Sequence, residues 1–258
     1  MMKNSWNKYW ESQLHINIQD ILNSRFTQEA YHCLKYLIDD GRNKLILEAG
    51  CGTGRFCCLL AKDYPNSEVV GIDISPNSLK IANFLKKFLQ ISNVIFEMGN
   101  LFHIPYPDNY FDVVFNEGVI EHFSLEENPN YKDALKEMIR VAKPKGKIVV
   151  GVPNWYCLPH TFYKWILKKA GKKYQYGYEK SFKESELKNL FSEFGLQEII
   201  VSAFYPSHGF YRLSGTGFRK AFYILGKLTD LVQSNDHLFN KYFIKKFGFE
   251  IVAKGIKP

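Results

Sequence analysis

LILEAGCGTGRF, residues 45–56, decides how this 258-residue chain is read. Leu45 to Ala49 forms a short apolar run of strand character, and FCCLLAKDY, from Phe56 on, spaces its apolar residues for one face of a helix. A strand thus passes into a helix through a turn carrying Gly50, Gly52 and Gly54. Glycine takes positive φ readily and has no Cβ, so backbone at such a turn approaches a ligand closely. A small ligand with an adenosine-like body is the expected guest.

The residues around the glycines discriminate among the ligands such turns hold. The dinucleotide pattern G-x-G-x-x-G/A requires Gly or Ala where this chain has Arg55, and no Gly-Lys-Ser/Thr follows any strand as a P-loop requires. A pyrophosphate site and phosphoryl transfer are both disfavoured. What remains is E-x-G-x-G-x-G, with Glu48 two residues before the first glycine. A carboxylate there repels a pyrophosphate but suits an ammonium group or a positively polarised ligand.

Outward from this turn, short strand-like runs alternate with helical patterns. EVVGID (68–73), VIFEM (94–98), FDVVFN (111–116) and KIVVGV (147–152) are apolar and β-branched, separated by SLKIANFLKKFL and YKDALKEMIRVA. Ser75 before Pro76 predicts a helix start, and Pro144 with Gly146 a stop near Ala142. Strands separated by helices imply a parallel sheet covered on both faces. Later, ESELKNLFSEF (184–194) reads as a helix, and LQEIIVSAFY (196–205) and FGFEIVAKG (247–255) as strands.

Composition excludes several classes. The 46% hydrophobic and 23% charged fractions are those of a packed globular chain, not of a disordered or fibrous one. No run approaches the roughly 20 apolar residues of a spanning helix, and MMKNSWNKYWES lacks a secretory signal, so a cytoplasmic location is expected. Cys33, Cys51, Cys57, Cys58 and Cys157 include no C-x-x-C pair and read as reduced, mostly buried thiols, and no cluster has metal-ligand spacing. Residues 1–140 carry 14 Lys and Arg against 18 Asp and Glu, whereas residues 141–258 carry 20 against 8. The second half therefore expects an anionic partner.

LEAGCGTG resembles the first motif of the class I S-adenosylmethionine-dependent methyltransferases. The resemblance continues in order through GIDIS (71–75), GNLFHIPYPDNYFDVVFNEGVIEH (99–122) and IRVAKPKGKIVVGVPN (139–154), covering about residues 40–155 and the late strands. It implies an α/β fold: a Rossmann-like, doubly wound, seven-stranded sheet, mostly parallel with an antiparallel last strand beside the sixth, and helical insertions after strands five and six. Residues 1–258 then form a single domain, with a helical cover at 1–40, a cofactor-binding core at 41–153, and substrate-side insertions at 154–183 and 206–246.

The resemblance also implies residue roles. Glu48, Gly50, Cys51, Gly52 and Gly54 would surround S-adenosylmethionine, Asp73 would take the ribose hydroxyls, and Ile74 would lie beside it. Asn100 stands where the family usually has Asp near the adenine amine, and its amide oxygen can still accept from that amine, while Leu101 would pack on the ring. Asn116 and Glu117, ending the fourth strand, would meet the methionine part, although Glu117 reads equally as a surface carboxylate. His122, in GVIEHF, is the candidate general base, yet in-line positioning suffices for a good nucleophile and a structural role stays open. Trp6, Tyr9 and Trp10 would cover the pocket or pack on the core.

The acceptor is read from the insertions. HTFYKWILKKAGKK (160–173) places Lys164, Lys168 and Lys172 in one i, i+4 row beside Phe162, Trp165 and Ile166. Residues Phe218, Arg219, Lys220, Phe222, Tyr223, Lys227, Tyr242, Phe243, Lys245 and Lys246 repeat the theme. A helix covering the core, a lid over an anionic or lipid-linked small molecule at an anionic membrane surface, and an RNA groove all share this composition. The base-methylation signature N/D-P-P-Y/F is replaced by Asn116-Glu117-Gly118-Val119, which weakens nucleic acid as substrate. His160 and His208 are acceptor-side candidates. Methyl transfer to an oxygen or nitrogen of a small acceptor is the expected activity, with RNA methylation or non-catalytic cofactor binding as alternatives.

Overall fold

The computed structural model describes residues 2–15, 17–172, 174, 176–214, 219–235 and 246–258. The chain opens with α1 (Met2–Ser12), α2 (Ile18–Asn23) and α3 (Arg25–Ile38). It continues through β1 (Leu45–Ala49), α4 (Arg55–Asp63), β2 (Glu68–Asp73), α5 (Pro76–Phe88), β3 (Val94–Met98) and β4 (Phe111–Glu117). After a single turn of 3-10 helix at Ile120–His122 come α6 (Tyr131–Val141), β5 (Ala142–Pro153), α7 (Leu158–Lys169), α8 (Glu184–Glu193) and β6 (Gln197–Phe204). The last described elements are α9 (His208–Leu213), α10 (Arg219–Asn235) and β7 (Glu250–Ile256).

These strands make one sheet in the order β3-β2-β1-β4-β5-β7-β6. The first five are parallel, and β7 runs antiparallel between β5 and β6. Alternation along β1 sends Ile46 to one face and Leu47 and Ala49 to the other, as a period of two requires. On the first face α3, α4 and α5 contribute Leu34, Ile38, Phe56, Leu60 and Leu85; on the second, α6 and α8 contribute Leu135, Met138, Leu187 and Phe191. The seven-stranded, doubly wound α/β architecture expected from the sequence is thus present.

Local signals act as read. Ser75 caps α5 with Pro76 in its first turn, and α6 ends at Val141 before Pro144. The fifth strand starts five residues earlier than KIVVGV suggested, because Ala142 already pairs with Phe111. The proposed lysine row is not formed: α7 stops at Lys169, Gly171 takes φ 65°, and Lys172 lies beyond the helix. Lys164 turns inward, its Nζ 2.8 Å from Ser181 Oγ and 3.3 Å from Glu179 Oε1. Phe218, Tyr242, Phe243 and Lys245 lie outside the described residues, as does Lys173.

Strand order reverses direction between β1 and β4, the place where an open α/β sheet leaves a crevice beyond its carboxyl ends. Because β7 is antiparallel, its first residue, Glu250, also reaches that edge. The late chain thereby delivers side chains to the same crevice as the glycine turn.

Candidate active site

A cavity of about 610 Å³ fills this crevice. Gly50, Cys51, Gly52, Asp73, Ile74 and Leu101 line one end. Phe26, Tyr176, His208, Arg212, Phe249 and Glu250 line the other. Trp6, Tyr9 and Trp10 of α1 also line it, with the indole of Trp10 standing over Gly52. Asn7 holds α1 in place through Ser75 Oγ (3.1 Å) and through its carbonyl, which accepts from Asn77 Nδ2 (3.2 Å).

The glycine turn spends its own donors. Gly50 N and Cys51 N both donate to Ile72 O, at 2.8 and 2.9 Å, and Gly54 N donates to Cys51 O at 2.8 Å. Gly52 N donates to Asp73 Oδ2 at 2.9 Å. A pyrophosphate-binding turn presents free N–H groups to its anion. Here four are already satisfied, which agrees with a ligand that carries no phosphate at this point.

Asp73 is almost fully buried, and its Oδ1 accepts from Ser75 N at 2.8 Å. Burial pushes its carboxyl up, and the N–H groups of Ser75 and Gly52 draw it back. Each carboxylate oxygen keeps acceptor capacity toward the cavity. Glu48 is tied to the start of α4, where Cys57 N and Sγ reach its Oε2 at 3.2 and 2.9 Å. Complete burial pushes it up to about 8, so it gains its charge fully only beside a cation.

Asn100 Oδ1 accepts from Phe102 N at 3.0 Å, closing a turn at the cavity rim, and Leu101 is buried beside it. Gly54 and Asn116 do not line the cavity. Gly54, at φ 69°, packs under Phe96 and Ala82, and Asn116 Nδ2 donates to Ala49 O at 2.7 Å, tying β4 to β1. Glu117 does line it, held by Arg55 Nη2 at 3.2 Å and facing Glu250, so it is no surface carboxylate. Burial, with the neighbouring Glu117, raises the Glu250 carboxyl well above the usual range.

His122 also lines the cavity. Its Nδ1 lies 2.6 Å from Tyr178 O, which fixes the proton on Nδ1 and leaves Nε2 as an acceptor. Burial holds the imidazole below its ordinary pKa, in the neutral form. Glu121 Oε1 stands 3.6 Å away, too far for a hydrogen bond, and desolvation pushes that carboxyl well up. His160, read as an acceptor-side candidate, is fully buried behind the cavity with Nε2 2.9 Å from Glu179 Oε1. His208 does line the cavity, and burial pushes it down to about 3.

Phe26, Tyr176, Arg212, Phe249 and Glu250 belong to no local motif that marks them in the sequence. Only Glu250 carries a usable signal, a carboxylate opening a strand whose next three residues, Ile251, Val252 and Ala253, are apolar. All five cysteines are buried and free. Among the described residues no group of three His, Cys, Asp or Glu side chains is placed to hold a metal ion, and no helix is long and apolar enough to cross a membrane.

Comparison with known proteins follows this geometry. A family model described as a methyltransferase domain matches residues 40–195. A demethylmenaquinone methyltransferase of Geobacillus sp. (strain WCH70) is 32% identical over 183 residues, covering 63% of this chain and 75% of that protein. The Listeria monocytogenes enzyme of the same name is 31% identical over 146 residues, 54% of this chain, and this chain spans 58% of its length. A Thermotoga maritima S-adenosylmethionine-dependent methyltransferase, described as a possible histamine N-methyltransferase, superposes with TM-score 0.66 at 17% identity over the whole of both chains. Haemonchus contortus phosphoethanolamine N-methyltransferase 2 superposes with TM-score 0.66 at 16% identity, over all of this chain and 60% of that one. At such identities the superpositions establish the shared fold.

Proposed function

This chain belongs to the methyltransferase-domain family, and on that premise we propose that it moves a methyl group from S-adenosylmethionine to an oxygen or nitrogen of a small molecule held in the aromatic end of the cavity. One observation carries the reading: a glycine turn with its N–H groups spent internally adjoins Asp73 and opens into a cavity lined by aromatic and carboxyl side chains.

The residues present fit the cofactor. Asp73 has acceptor capacity left for two ribose hydroxyls, and Leu101 gives the adenine an apolar wall. Asn100 shares its amide oxygen between Phe102 N and an exocyclic amine. Glu48, held near neutrality by burial, regains its charge against an α-ammonium group. Bound there, S-adenosylmethionine supplies a methyl group on a positively charged sulfur, open to a lone pair in line. Trp6, Tyr9 and Trp10 exclude water from that point.

The acceptor's proton goes to His122 Nε2, whose neutral form persists because burial lowers its pKa. The sign follows: kcat stays level through neutral pH and falls only on the acid side of the usual histidine range, as the imidazole takes a proton. His122→Gln is expected to lower kcat about 100-fold with KM little changed. A pH–rate profile that keeps the same acid limb in that variant would remove the assignment.

A lipid-linked acceptor is supported by exposed apolar side chains on the two helices that pack against α9: Leu158 and Trp165 on α7, and Ile224 and Leu228 on α10. The name of the Geobacillus and Listeria relatives extends the acceptor classes to quinones.

The test is calorimetric titration with S-adenosylhomocysteine against NADH, followed by a panel of quinols, amines and phosphate esters offered in solution and in anionic vesicles. Expected are 1:1 binding of S-adenosylhomocysteine only, and its release with one acceptor class. Binding of NADH alone overturns the reading; cofactor binding without turnover leaves a binding module; turnover of RNA, with retention falling steeply in salt, replaces the acceptor class.

A further inference from the structure

Arg212 enters the cavity from α9 with its charge unmatched. Both of its hydrogen bonds go to neutral acceptors: Nη1 donates to Tyr174 Oη at 2.6 Å and Nε to His208 Nε2 at 3.4 Å. The rings of Tyr176 and Phe249 stand 5.4 and 5.2 Å from its guanidinium carbon and fix its plane. No ion pair to Arg212 forms among the described residues. Glu179, the carboxylate whose charge it feels, is already engaged by Tyr174 Oη at 2.8 Å, His160 Nε2 at 2.9 Å and Lys164 Nζ at 3.3 Å.

Removing a guanidinium from water costs several kcal/mol unless an anion compensates it. A fold that holds one beside two rings, orients it through Tyr174, and leaves it with no carboxylate partner among the described residues has built a receptor awaiting its anion. Three acids near this end of the cavity do not compete. Glu117 is paired with Arg55, and burial favours the neutral form of Glu121 and Glu250.

We propose that Arg212 is the specificity anchor of the acceptor site, and that the methyl acceptor carries a carboxylate or phosphate group bound by the guanidinium donors left over, the two Nη2 hydrogens and the second Nη1 hydrogen. The proposal rests on the methyltransferase reading for the identity of the acceptor, but not for the existence of the anion site. It gives the basic character of the second half of the chain one particular address inside the cavity.

Inorganic phosphate and benzoate are the probes, titrated at constant ionic strength and followed by the fluorescence of Trp6 and Trp10, which line the same cavity. The protein is taken with and without saturating S-adenosylhomocysteine. Wild type is expected to bind at least one probe saturably, Arg212→Gln at least tenfold more weakly, and Arg212→Lys in between. Tyr174→Phe keeps the charge and removes its orienting partner, so it should lose part of the affinity, and it carries the test if Arg212→Gln does not fold. Lys132→Gln, at a surface pair with Glu193, should change nothing. The affinity for S-adenosylhomocysteine should be the same in wild type and Arg212→Gln.

Absence of saturable binding to wild type, or equal binding by Arg212→Gln and wild type, overturns the anchor. Loss of S-adenosylhomocysteine binding in Arg212→Gln also overturns it, since the guanidinium would then serve the cofactor. Failure of wild type to bind S-adenosylhomocysteine, with the phosphate titration intact, instead removes the methyltransferase reading and leaves the anion site standing. A final arm separates the anion's sources: Arg212-dependent retention by phosphatidylglycerol vesicles supports a lipid headgroup, and phosphate binding without retention supports a soluble acceptor.

Discussion

Asp73→Ala is expected to weaken S-adenosylhomocysteine binding by about 2–4 kcal/mol, with the fold unchanged. The carboxylate is nearly buried at the end of β2, and each oxygen already accepts one backbone N–H, from Gly52 or from Ser75. The carboxylate lines the cavity, where two ribose hydroxyls would take up its remaining acceptor capacity. Alanine removes the ribose contacts and releases Gly52 N at once, so a single variant mixes recognition with loop order. Calorimetry with S-adenosylhomocysteine and with its 2′-deoxy analogue separates them. If Asp73 reads the ribose, wild type discriminates between the two ligands and Asp73→Ala does not. Unaltered affinity for S-adenosylhomocysteine in Asp73→Ala would sink the assignment.

Gly54→Ala is expected to destabilise the protein by about 3 kcal/mol, from left-handed strain plus overpacking. Gly54 sits at φ 69°, and a methyl group there would stand 2.6 Å from Phe96 Cε1 and 2.8 Å from Ala82 Cβ. Ala82, on the buried face of α5, cannot yield, and the half-buried ring of Phe96 must swing aside. For a domain of this size the loss corresponds to a fall in Tm of roughly 6–12 °C. Gly171→Ala is the control: it shares the backbone strain, at φ 65°, but meets nothing within 4 Å. Its Tm should fall by about a third as much; equal losses in the two variants would show that packing at Gly54 contributes nothing.

Much of the fold was legible because it rests on local codes. Residues 45–56 specify strand, glycine turn and helix through side-chain period and the steric freedom of glycine, both properties of short segments. Ser75-Pro76 and the Pro144 stop act within one helical turn, and both stand where they were read. Where a local rule was extended past its evidence it failed. The lysine row of α7 assumed that the helix reached Lys172, but Gly171 takes a positive φ, and Lys164 gains more from Glu179 and Ser181 than from solvent.

The candidate site divides in the same way. Asp73, the glycine turn, Leu101, Glu117 and His122 all come from one continuous βα series, whose order fixes their place at the carboxyl edge, so sequence alone put them together. It also placed Asn116 there, and the structure shows why the residue belongs beneath the site: its amide tethers β4 to β1 instead of entering the cavity. Sequence by itself thus determined the sheet, the turn and the class of ligand. Only the tertiary structure decided that Phe26, Tyr176, Arg212 and Glu250, from four segments far apart in the chain, close the other end of that cavity. The physical reason is that a period or a cap acts over a few residues. Whether a buried guanidinium meets a carboxylate or is left facing open space depends on contacts between segments that share no local pattern.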